Sequence, residues 1–162
     1  MSVDMFLNLG DKIKGETEDK AQKEKGDIDV LSWSWGMSQS GSLHGGGASG
    51  GRVSITDLSV TKWIDAATPK IMLACCNGTR IEKAVLLVRK AGEKAQKSIE
   101  ITMEPVIISN VQTGGSGGED RLTESIVLNF GKVKFEYFKQ DKTGATASAG
   151  ELAWDIAGRA NV

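Results

Sequence analysis

Ile28-Asp29-Val30-Leu31-Ser32-Trp33-Ser34-Trp35-Gly36 is the stretch on which the reading of the fold turns. From Leu31 onward, apolar and small polar residues alternate with period two, the pattern of a strand with one face in a core. On this pattern Leu31, Trp33 and Trp35 point inward, while Ser32, Ser34 and Gly36 point away. A fully buried indole removes roughly 150–250 Å² from water. At ~25 cal/mol/Å² that is about 4–6 kcal/mol, an upper bound. Two of the chain's four tryptophans thus anchor a core from one strand. The opposite face, of hydroxyls and a glycine, is smooth and polar, and suits neither a second core nor a catalytic array.

Working outward, Val3, Met5, Leu7 and Leu9 alternate with Asp4, Phe6 and Asn8, a first strand ending at Gly10. The mixed-charge run from Asp11 to Asp27 reads as a solvated loop. Ser38 to Gly51 reads as a long glycine-rich loop. Val53 and Ile55 then hold one alternation, and Leu58, Val60, Lys62 and Ile64 the other, a slip expected of a β-bulge at Asp57-Leu58. Ile126-Leu128-Phe130 slips to Val133-Phe135-Tyr137 at Gly131. Ile99-Ile101-Met103 slips to Val106-Ile108 at Pro105. Long strands, each bent once, are expected of a barrel or a strongly coiled sandwich.

One helix interrupts them, with Thr68 as N-cap, Pro69 at N1 and Gly78 at C′. Its residues are apolar nearly all round, so a short buried helix plugging the barrel is expected, with Cys75 and Cys76 as small core fillers. Ala84 to Val88 forms a strand packed on both faces. The segment from Lys139 to Glu151 reads as a polar loop before a last strand, Leu152 to Ile156. The fold class is therefore mainly β, a bent-strand barrel with one short α-helix, and residues 1–162 fit one domain.

Composition narrows the function. With 20 basic and 21 acidic residues in 162, the chain has no global field to draw in nucleic acid or an anionic membrane. No apolar run approaches the ~20 residues needed to span a bilayer. The amino terminus has neither a basic segment nor a long apolar core, so no secretory signal is expected. Adjacent Cys75 and Cys76 have poor geometry for a structural bridge, which fits folding in a reducing cytosol.

Nothing in the sequence composes a catalytic site. His44 is the only histidine and sits among glycines, whereas serine triads and zinc sites usually draw on histidines absent here. The runs ending at Gly51 and Gly118 lead into strands rather than opening a helix as a phosphate-binding loop does. Glu119 and Asp120 are neighbours after a flexible lead-in, which does not hold two carboxylates at a fixed separation. No metal or cofactor is expected.

Several motifs carry a resemblance. Val3-Asp4-Met5-Phe6, Ile28 to Gly36, Gly36-Met37-Ser38-Gln39-Ser40-Gly41-Ser42, the Gly45–Gly51 loop, Ala67-Thr68-Pro69, Gly114 to Arg121 and Leu128-Asn129-Phe130 resemble, in order, the haemolysin-coregulated protein family, Hcp. The resemblance implies a barrel protomer closing into a hexameric ring, with rings stacked as the inner tube of the type VI secretion system. It further implies as partners effector proteins in the lumen, a spike and a contractile sheath. It also implies assembly in the cytoplasm and expulsion without a signal peptide, with no nucleic acid and no membrane insertion.

Two sets of positions follow as expectations. Ser32 and Ser34 line the ring's channel, because the tryptophan face is taken by the core. Ser42, Leu43, His44, Gly45, Gly46, Gly47, Ala48, Ser49, Gly50 and Gly51 contact the neighbouring ring, because a long loop without its own apolar cluster needs a partner to order it. The competing reading is a monomeric β-barrel module binding a small ligand in a pocket lined by Trp33 and Trp35.

Overall fold

The computed structural model describes residues 2–44, 51–91 and 96–162. Its strands are β1 (Val3–Asn8), β2 (Ile28–Ser34), β3 (Met37–Gln39), β4 (Val53–Ile55) and β5 (Leu58–Trp63), then α1 (Thr68–Asn77). After the helix come β6 (Ala84–Lys90), β7 (Gln96–Thr113), β8 (Thr123–Gln140), β9 (Thr146–Asp155) and β10 (Ala160–Asn161). Every neighbouring pair is antiparallel. The order β8-β5-β2-β1-β6-β7 closes on itself through a β7–β8 pairing, which makes a six-stranded barrel. β9 and β10 continue the sheet beyond β8, and β3 and β4 form a separate ribbon.

The barrel is filled by its own side chains. Leu7, Ile28, Val60, Leu86, Ile126 and Leu128 have no exposed surface, so the interior is a packed core of the kind small barrels have. Trp33 and Trp35 both lie half-buried, packed against that core, and neither lines a cavity found among the described residues. Trp35 stacks on Phe135 with ring centroids 6.2 Å apart and donates its Nε1–H to the Thr56 carbonyl at 3.0 Å.

Several expectations are corrected. β2 carries a bulge between Val30 and Ser32, opposite Lys62 and Thr61 of β5. Leu31 is the extra residue, 37% exposed, and the inward set is Ile28, Val30, Trp33 and Trp35. An extra residue swaps the face of all that follow, so Leu31 leaves the tryptophan side. Asp57-Leu58 is a break rather than a bulge, since β4 leaves the barrel to pair with β3. Ser38 and Gln39 belong to β3, so the glycine-rich loop begins later than expected. The Lys139–Glu151 loop is mostly strand: β8 runs to Gln140, the turn is 141–145, and β9 starts at Thr146.

The switches at Pro105 and Gly131 occur together. β7 and β8 keep one register from Ile99↔Tyr137 through Val106↔Phe130 to Ile108↔Leu128. Met103, Val106, Phe130 and Val133 are nonetheless all buried, so both strands turn over at the same level. A Cβ at Gly131 would sit 3.2 Å from Pro105 Cδ, and glycine is what lets the two strands bend this closely.

α1 ends as expected, at Gly78 with φ +62. Its start differs. Thr68 lies inside the first turn, and Asp65 accepts the Ala67 N–H at 3.0 Å. Nor is the helix buried all round: Ile71 and Ala74 face the core, while Met72, Leu73 and Cys76 are exposed and Cys75 is half-buried.

The Thr68 hydroxyl is committed elsewhere. It accepts the Asp65 N–H at 3.0 Å and donates to Glu124 Oε1 at 2.6 Å. The Lys62 ammonium pairs with the same Glu124 carboxylate, and it donates to Asp65 Oδ1 at 3.0 Å and the Trp63 carbonyl at 2.7 Å. Lys62 and Glu124 are both fully buried in their side chains. This knot ties the start of α1 to β5 and β8 and seals that end of the barrel.

Removing one partner of a buried pair leaves an uncompensated charge, at about 3–5 kcal/mol. Glu124→Ala is therefore expected to destabilise the chain by about that much in urea unfolding. Glu124→Gln, which keeps an oxygen for Lys62 and Thr68, is expected to cost less. Equal losses for the two variants would show that the charge contributes nothing beyond its volume.

Candidate assembly surfaces

The outward face of β2 continues across three further strands. Ser32 lies opposite Thr61 of β5, Thr61 opposite Ser125 of β8, and Ser125 opposite Gln112 of β7. The next outward row is Ser34, Ser59, Val127 and Asn110. Between these rows, Trp33, Val60, Ile126 and Val111 point into the core. Ser32 and Ser34 are both exposed, as expected. A four-strand band is thus paved with hydroxyl and amide groups, one valine and no charge. Sequence reasoning found Ser32 and Ser34 but not their neighbours, because only strand pairing aligns residues so far apart in the chain.

The outer face of β1 and β6 is covered instead by the charged segment between β1 and β2, which is not merely solvated. Ile13, Thr17, Gln22 and Asp27 in it are buried. Asn8 donates to Asp27 Oδ1 at 2.7 Å. Arg89 of β6 donates through Nη1 to Asp19 Oδ1 at 3.1 Å, its Nη2 binds the other Asp19 oxygen, and its guanidinium lies 4.9 Å from the Phe6 ring centre. Phe6 points outward by alternation and is buried because this strap lies over it.

The third surface is an arm. β3 and β4 pair from Met37↔Ile55 to Gln39↔Val53, and Ser40 Oγ accepts the Arg52 N–H at 2.9 Å. A Cβ at Gly51 would overlap the backbone of Gly41 and Ser40, so the ribbon closes there only with glycine. Ser42, Leu43 and His44 are exposed beyond it. Gly45, Gly46, Gly47, Ala48, Ser49 and Gly50 lie outside the described residues. Glu119 and Asp120 are exposed in the loop between β7 and β8. Among the described residues, no group of three or more His, Cys, Asp or Glu side chains could hold a metal ion. No helix among them is long and apolar enough to cross a membrane.

Residues 6–137 match the family model described as "Type VI secretion system effector, Hcp". The chain belongs to the Hcp family. It is 53% identical to protein hcp1 of Pseudomonas aeruginosa over 147 residues, covering 90% of this chain and 89% of the relative. A solved structure of a type six secretion system protein superposes with TM-score 0.90 at 27% identity, over 99% of this chain and 100% of that one. Hcp1 from Salmonella typhimurium superposes with TM-score 0.78 at 33% identity, with full coverage of both chains. This chain is a type VI secretion tube protein of that family.

In this Hcp chain the strap carries opposed pH responses. The Arg89 hydrogen bond holds the Asp19 carboxyl below the usual aspartate value, whereas burial pushes Asp27 up, against the hydrogen bond from Asn8. A lowered carboxyl stabilises the fold above its unfolded value, about 3.9, and that stability is lost as pH falls through the lower folded value. A raised one does the reverse, and favours the fold as pH falls through the raised value toward 3.9. Urea midpoints are therefore expected to hold or rise in mild acid and to fall below about pH 4. Asp19→Asn is expected to cost about 1 kcal/mol at neutral pH, as for a partly exposed pair, and to flatten the acid fall. An unchanged acid limb in that variant would place the acid sensitivity elsewhere.

Proposed function

We propose that six copies close into a ring whose channel is lined by the uncharged band, and that rings stack through the arm into the tube driven out by type VI secretion. In this reading Ser32 and Ser34, with Thr61 and Ser125 beside them, face the lumen, and residues Ser42 to Gly51 contact the adjoining ring. Residues 1–162 act as one Hcp-like barrel domain. The ring assembles in the cytoplasm, needs no signal peptide, and meets effector proteins in its lumen and spike and sheath components around it. Its role is structural rather than catalytic.

The observation that carries this is the band itself. A barrel wall turned away from its core faces solvent, a neighbour or a lumen. Small hydroxyls and amides donate and accept hydrogen bonds without protruding, which suits a channel that holds varied cargo and releases it. A ring forms when one edge of a protomer fits a different patch on the next and the rotation closes. The strap, with its dense charge, suits an outer surface. A ligand-binding monomer has no support from the packed barrel interior.

Light scattering is expected to give six times 17.3 kDa, about 104 kDa, and a mass near 17 kDa across micromolar concentrations would refute the ring. Ser34→Glu is expected to change stability by no more than roughly 0.5 kcal/mol, as at an exposed site, and to keep the ring mass. Six added charges around the lumen are expected to alter which effectors co-purify. If the variant fails to fold or assemble, Ser34 belongs to an interface and the lumen assignment falls.

A further inference from the structure

We infer that Leu43 of one copy seats in the groove between α1 and the segment after β1 of a copy in the adjoining ring. The inference rests on the ring-stacking role given to the arm above, and names the surface that receives it.

Leu43 is 92% exposed, on an arm whose residues from Gly36 to Gly51 include no Asp, Glu, Lys or Arg. So isolated an apolar side chain on a polar ribbon is placed to enter something. The groove has a volume of about 560 Å³. Leu9, Ile13, Ala74 and Ile81, all core residues, form its floor, and Leu73 of α1 stands over it, 59% exposed. Lys12, Lys70, Arg80 and Lys83 lie along its rim together with Asp11 and Glu82, so the rim carries both signs of charge. An uncharged arm enters past a rim of mixed sign without setting a like charge against either the ammonium groups or the carboxylates.

The topology decides between copies. β2 begins at Ile28 beside Leu7, next to the groove, and runs away from it to Ser34, beyond which the arm leaves at Met37. β5 runs back, from Leu58 to Trp63, and delivers α1 to the groove end. The seven residues of β2, at ~3.3 Å each, hold the two features about 20 Å apart. The arm therefore leaves the barrel at the end away from its own groove. The root of the arm that carries Leu43 and the groove sit at opposite ends of one barrel, the arrangement of a head-to-tail contact that repeats along a stack.

The test is a disulfide across the contact, in the full chain with Cys75→Ser and Cys76→Ser so that no native thiol competes. Leu43→Cys and Leu73→Cys are exposed changes and leave the fold intact. At high protein concentration, oxidation is expected to convert rings into species of at least twice the single-ring mass that revert on reduction. Either cysteine alone is expected to give no such ladder. Leu43→Ser is expected to keep single rings and lose stacked ones in electron micrographs. Cross-links that leave the mass at one ring place the contact within a ring and overturn the inference. Absence of cross-linked multi-ring species overturns it as well, while the arm's general role survives if deleting Gly45–Gly50 still abolishes stacking. A chain that never exceeds monomer mass fails the ring reading first.

Discussion

Pairing of β7 with β8 along nearly their whole length is the constraint on which the rest of the structure depends. These two strands form one long hairpin, and it is their partnership that closes the barrel, since β8 also holds β5 while β7 also holds β6. Without it the sheet from β8 to β7 would have two open edges, with unpaired backbone groups inviting foreign strands. The cost of so long a hairpin is that it must bend. It does so once, where Pro105 meets Gly131, and both strands exchange faces there. Beyond the bend, β8 leaves β5 and takes β9 as its partner.

That closure gives the barrel two unlike outer faces. Where β1 and β6 meet, apolar Phe6 and the Arg89 guanidinium over its ring need cover, and the strap between β1 and β2 supplies it through Asp19. Where β2, β5, β8 and β7 run side by side, the outward residues are small, polar and uncharged, so nothing needs cover. Desolvation separates the two. Burying Arg89 demands a carboxylate, whereas serine, threonine and amide groups are satisfied by water or by a passing protein chain. In the ring proposed above, the uncharged band is the face assigned to the lumen and the strap the face assigned to the outside.

The knot of Lys62, Glu124, Asp65 and Thr68 is the least expected feature. A signal for it was present. Lys62 keeps phase with Leu58 and Val60, and Glu124 with Ile126 and Leu128, so both charges stand on apolar faces. Sequence alone does not join them, because they are far apart in the chain and only the β5–β8 register sets them opposite each other. The same holds for Arg89 and Asp19. Buried charges find partners through tertiary pairing, which local alternation does not encode.

What the sequence determined by itself was local: which stretches alternate, where Gly131 and Pro105 interrupt them, where Gly78 stops the helix, and that Ser32 and Ser34 share a face opposite Trp33 and Trp35. Period-two patterning and backbone preference act over a few residues and are readable there. The order of motifs also placed the chain in its family. The tertiary structure decided what depends on a partner strand: that Leu31 bulges out, that β4 leaves the barrel, that α1 shows Leu73 to solvent, and that four strands join two serines into a band. A one-residue slip in register moves every later side chain to the other face. That register is fixed by the facing strand and not by the residues that slip.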